Sequence, residues 1–258
     1  MKKIWLTLFE PYKEKAKYLI ELLQKHGFES RGHFWEDDLE KMAWIKAREN
    51  LLDPDINLWL IVASKEQLSI PSIRYGLSLL AITIQADRGL SFPFLFLLPK
   101  EEKSLFETLP TSLKGAEFLF EDDPSWTAKL VARAFTPLKE ISIDYRLNVY
   151  GNPQIGQWFE VGPRVGVWKG AMFGVSEGEI LFHAVGKKGR LPERCVLNYP
   201  QKGLKLMLNE REFIAWAVQN EIDEENSYFI KVDGFPSTIL FSPYVLENEA
   251  EMYVVQLK

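Results

Sequence analysis

Seven residues in the first half of this 258-residue chain have side chains suited to holding a ligand or a partner: Phe9, Glu10 and Tyr12; Trp35 and Asp37; Ser64 and Lys65. Each group follows an apolar or alternating run of strand length, so a parallel sheet would gather all seven at one edge, where open sheets bind ligands. The chemistries open to such a set can be tested in turn. A flavin or dinucleotide phosphate needs a Gly- or Thr-rich turn after the first strand so that backbone amides can approach it. The chain has TLFEPYKEK there, and Pro11 removes one amide. Phosphorelay needs an Asp at the end of the third strand, where Ala63 and Ser64 stand. No G-x-S-x-G surrounds Ser64, so its hydroxyl is expected to cap or tie the turn. Glu36, Asp37 and Asp38 suit a helix N-terminus, and His26, His33 and His183 share no metal-ligand spacing. The expectation is no cofactor and no metal, with Trp35, a large ring in a polar loop, as an anchor for a partner.

The elements that must position these residues alternate. Ile4 to Phe9 reads as a buried strand, and Ala16, Leu19, Ile20 and Leu23 recur at helical spacing up to Gly27. Phe28 to Phe34 alternates as an edge strand does. Asp37 or Asp38 then caps a helix through Leu39, Met42, Ile45 and Leu52, which Pro54 closes. Ile56 to Leu80 supplies a central strand, a polar elbow at Ser64 and Lys65, and a mostly apolar helix with Pro71 in its first turn. Phe92 to Leu98 is a fourth strand, with a short helix and a loop through Pro110. Ala116 to Phe120 is a fifth, and Asp123-Pro124-Ser125 starts a helix through Phe135. Five such alternations predict a flavodoxin-like, doubly wound parallel sheet over residues 1–137, in the order 2-1-3-4-5.

The loop WEDDLEKMAWI after strand two and the segment LIVASKEQLSIPSIRYGLSLL after strand three make this half resemble the Toll/interleukin-1 receptor (TIR) domain. That family has this five-unit sheet, an acidic loop after strand two, and a Ser-containing elbow leading into a helix. The loop here lacks the family's customary Pro-Gly pair. The NAD-cleaving members carry a glutamate in the helix, and the register that matches RYGL to their pattern puts Gly76 there. A carboxylate stabilises the positive charge that develops as nicotinamide leaves, and glycine cannot. The resemblance therefore implies a non-enzymatic protein that assembles with itself or with another protein. The alternative is a nucleoside- or NAD-cleaving hydrolase with a rearranged site built from Glu10, Glu66 and Ser64.

Glycine occurs 5 times through Thr136 and 11 times after it, and the pattern changes with it. Ile141, Ile143, Tyr145, Leu147 and Val149 alternate with polar residues, which predicts an antiparallel β domain over residues 138–258. Gly162, Gly166, Gly170, Gly174 and Gly178 are spaced by four, so a continuous strand would put them on one face beside Trp168 and Met172. Such a face either curls a small sheet or lets a ligand approach. Trp158, Trp168 and Met172 are the candidate pocket. Asn209 is expected to cap a helix from Glu210 to Gln219, making a curled sheet or partial barrel with one helix.

With 47% hydrophobic residues the chain can bury a sizeable core. Its net charge of −5 is spread over both halves, which speaks against a nucleic-acid partner. The apolar runs are far shorter than the roughly 20 residues a bilayer requires, so no membrane partner is expected. The run after Met1-Lys2-Lys3 is too short for a signal peptide, and the single Cys195 suits a reducing compartment. Cytoplasmic location is the resulting expectation.

Overall fold

The structure is a computed structural model that describes residues 1–9, 13–101, 103–244 and 251–258. It divides into two units, Met1–Ile141 and Ser142–Lys258. The division falls four residues beyond the predicted one.

The first unit contains strands β1 (Lys2–Phe9), β2 (Phe28–Trp35), β3 (Ile56–Val62), β4 (Phe94–Leu98) and β5 (Glu117–Phe120). All are parallel, in the order β2-β1-β3-β4-β5 that the alternation predicts. Helices α1 (Lys13–Lys25), α2 (Arg48–Leu52), α3 (Lys65–Leu68), α4 (Pro71–Arg88), α5 (Lys103–Thr108) and α6 (Trp126–Phe135) connect them. Successive side chains on a strand point to opposite faces. Ile4, Leu6, Leu8, Leu58, Leu60 and Val62 therefore meet Leu19 and Leu23 of α1 and Leu130 of α6 in one core. Trp5, Thr7, Phe9 and Trp59 point the other way.

One helix is shorter than its spacing predicts. After β2 the Asp38 carboxylate accepts from the Lys41 amide at 3.0 Å, and Met42 adopts φ 49°. That turn breaks the phase, so Leu39 and Met42 precede a 3-10 turn (Ala43–Ala47) and α2 instead of joining one helix.

The second unit packs two antiparallel sheets. One is β6 (Tyr145–Asn152), β7 (Gly156–Pro163), β12 (Asn226–Asp233) and β9 (Glu179–Lys187); the other is β10 (Gln201–Leu208), β11 (Arg211–Val218), β8 (Ala171–Ser176), β13 (Thr238–Pro243) and β14 (Tyr253–Gln256). Phe159 and Phe173 meet between them at a ring separation of 5.4 Å, and both are fully buried.

The predicted helix at 210–219 is strand β11. Asn209 and Glu210 have φ of 48° and 63°, both positive, which is the geometry of a two-residue hairpin turn. Leu208 pairs with Arg211 across it, and β11 then bonds β10 on one side and β8 on the other. No helix occurs among the described residues of this unit. The glycine series likewise does not lie on one strand. Gly162 ends β7 and Gly174 lies within β8, while Gly166 and Gly178, with φ of +83° and +93°, turn the chain.

Candidate functional site

The carboxyl edge of the parallel sheet collects most of the residues singled out from the sequence. Glu10 and Tyr12 lie outside the described residues. Phe9 and Trp35 are register partners on adjacent strands with ring centroids 6.1 Å apart. His33 lies 6.4 Å from Trp35, and Trp5 stacks on His33 at 5.8 Å while its Nε1 donates to His33 Nδ1 at 3.0 Å. The result is a row of rings across β1 and β2. Burial holds the His33 imidazole at a pKa of about 4 against an ordinary 6.5, so it stays neutral in this row.

Gly76 explains how that row is fixed. A Cβ at this position would lie 2.7 Å from Trp35 Cζ2 and 3.4 Å from Trp44 Cβ, so α4 fits against the indole only because residue 76 has no side chain. Trp35 is 7% exposed and Trp44 2%. The ring of Trp35 fills the space beside residue 76. Among the described residues nothing accepts from Trp35 Nε1. Neither Gly76 as a packing seat nor Trp44 as its neighbour was identified from the sequence as part of this edge. The only signal was a glycine inside an otherwise strong helix.

Ser64 behaves as expected of a capping residue. Its hydroxyl accepts from the Gln67 amide at 3.3 Å, and Gln67 Oε1 accepts from the Ser64 amide at 2.8 Å, a complete capping box that starts α3. A hydrogen bond from the same hydroxyl holds the Glu66 carboxyl below the usual carboxylate range. Among the described residues no imidazole or amine is hydrogen-bonded to Ser64, and its oxygen is occupied by the turn. Lys65 opens α3. Asp37 accepts from the Ser72 hydroxyl at 2.7 Å, which ties the loop after β2 to the first turn of α4. Glu36 is ion-paired with Lys46, and Asp38 with Lys41. The rings are thus packed beneath the edge, with Phe9 and Trp35 both buried, and paired acids border it. Among the described residues no group of three or more His, Cys, Asp or Glu could hold a metal ion.

The candidate pocket of the β unit is not one site. Trp158 lies on the outer face of the four-stranded sheet, tied by its Nε1 to Ile155 O at 3.0 Å and edge-on to Phe182 at 6.0 Å. Trp168 pairs with Ile222 and stacks on Tyr253. Met172 joins Phe213, Ala215, Ala217 and Leu240 in an apolar cluster. The fourfold glycine spacing suggested neighbours; Trp168 instead forms an isolated bridge that the bend at Lys169 and Gly170 separates from β8.

The ionisable cluster of this unit was not legible beforehand. His183, 2% exposed, shares a 2.8 Å hydrogen bond between Nδ1 and the Tyr228 hydroxyl and meets the Trp216 ring edge-on at 4.8 Å. Burial, with help from Lys202, holds the imidazole at about 4. Burial raises Tyr228 above its ordinary range. Tyr228 and the neutral imidazole share this one bond in an apolar core, and among the described residues the buried Nε2 of His183 has no hydrogen-bond partner.

No protein-family model and no curated protein matches the chain. No helix among the described residues is long and apolar enough to cross a membrane.

Proposed function

We propose that the protein works by contact: a TIR-like α/β unit that assembles with itself or with a partner protein, joined to a β-rich unit that binds a ligand or partner. The observation that carries this reading is the seating of Trp35 against Gly76, which fills with an indole the place a catalytic carboxylate would need. The Ser64 hydroxyl is committed to its capping box, and the acids of the loop after β2 are committed to Lys41, Lys46 and Ser72. What such an edge offers is shape. The rings beneath it are buried and hold the edge rigid, with the exposed Glu36 and Asp37 at its rim, and a preorganised surface meets a partner at low entropic cost. The lone Cys195 and the balanced charge fit a signalling protein of the cytoplasm.

The test uses the full chain. Incubation with NAD at low and high protein concentration should release no nicotinamide, and chemical cross-linking of the purified chain, alone and with cell extract, should trap a complex that Asp37→Lys weakens. Nicotinamide release would overturn the contact reading in favour of a hydrolase using Glu66 and Ser64.

A further inference from the structure

The connection from β9 to β10, residues 188–200, has no regular structure and runs across β9, the terminal strand of its sheet. It is nevertheless well anchored. Pro192 lies against Gly186, where an added Cβ would come within 2.6 Å of it. Cys195 Sγ donates to His183 O at 3.3 Å, Gln219 donates to Asn198 O at 2.9 Å, and Asn220 bonds both Asn198 N and Val196 O. The segment is a strap fixed along β9 and at the end of β11.

What the strap displays is unusual for a covering loop. Val196 is 70% exposed and Tyr199 77%, and Tyr199 sits at φ 46°, a left-handed backbone that a bulky residue adopts only when its surroundings impose it. Lys187, Arg190 and Arg194 lie on or beside the strap, and among the described residues none is in an ion pair. Next to it the connection from β11 to β12 exposes Glu221, Glu224 and Glu225, of which Glu225 reaches Lys188 at 3.7 Å. The strap, basic on balance with Glu193 its one acid, therefore lies beside an acidic connection and carries two exposed, largely apolar side chains.

A uniformly charged partner would meet one favourable and one repulsive stripe. A second copy rotated by a two-fold axis presents the opposite stripe to each, as an isologous contact requires. We propose that this flank docks a second copy of the chain, with Tyr199 and Val196 at the centre and Arg190 and Arg194 of each copy set against Glu221 and Glu224 of the other. The inference rests on the contact reading for the class of partner, but it lies in the β-rich unit and is tested apart from it.

Light scattering and sedimentation of the full chain at micromolar concentration decide the matter. A dimer should form at low salt and weaken about tenfold in affinity between ~0.05 and ~0.5 M salt, because exposed charges are screened. Arg194→Glu and Tyr199→Ala should each weaken it about tenfold or more, with melting unchanged, while Arg194→Glu combined with Glu221→Arg should restore it. A dimer indifferent to these variants would overturn the proposal while leaving assembly through the α/β unit standing. Monomers under all conditions would also overturn it, and the α/β unit would still be judged by its own NAD and cross-linking assays.

Discussion

The carboxyl edge of the parallel sheet and the interior of the two-sheet unit exchange the roles that their positions suggest. At the edge, where open sheets usually hold polar ligand-binding groups, Phe9, His33 and Trp35 form a largely buried row of rings, and Trp35 is closed against a glycine. Inside the β unit, where rings alone would suffice, a histidine and a tyrosine are buried and share a hydrogen bond. At the edge the polar groups are tied into a capping box and ion pairs. The interior keeps ionisable groups but holds them neutral.

The sharpest way to break this comparison is to empty the edge. Trp35→Ala removes a buried indole and should cost about 3–5 kcal/mol, read from chemical denaturation. Gly76→Ala forces a Cβ against the same ring and should cost about 1–3 kcal/mol alone. In the Trp35→Ala background the Gly76→Ala cost should nearly vanish, a coupling of about 1 kcal/mol or more. Simple additivity of the two would show that the seat is not a tight contact and that residue 76 has room for another side chain.

The second prediction concerns the interior. His183 has a folded pKa of about 4 against 6.5 when exposed, so between those values the unfolded chain binds the additional proton. Its contribution to stability is complete above about pH 6.5 and is lost as the pH falls towards 4, about 3 kcal/mol in total. His33, shifted in the same direction by burial, adds to the slope, though its partial exposure makes its share smaller. His183→Gln should flatten the acid limb of the stability profile by close to one proton. An unchanged limb would mean that His183 is solvated in a way its burial denies.

The parallel sheet was legible because its strands are continuous apolar runs such as Ile56 to Val62 and Phe94 to Leu98, which need no partner to be recognised. The β unit was legible only in class. REFIAWAV satisfies both a helical and an alternating pattern, and what decides is a pair of positive φ angles at Asn209 and Glu210 that no periodicity reveals. The contact between Trp35 and Gly76 joins residues far apart in the chain, so the sequence shows a glycine in a helix but not the ring that packs on it. The pairing of His183 with Tyr228 was hidden for the same reason: it depends on the register of β9 against β12.

Ser64 gives the smallest and most discriminating effect. If the elbow after β3 is a structural cap, Ser64→Ala removes one acceptor at a helix N-terminus and should cost about 1 kcal/mol. The Glu66 carboxyl should then titrate closer to its ordinary value, since the hydrogen bond from Ser64 is the main reason it lies lower. Carbon-detected NMR titration of the Glu66 carboxyl would follow this directly. Association of the chain should be unaffected, because the hydroxyl faces its own turn and not a partner. A loss of association far beyond what 1 kcal/mol of stability explains would return Ser64 to the binding edge. The edge would then be a polar site after all, and the contrast with the β interior would fail.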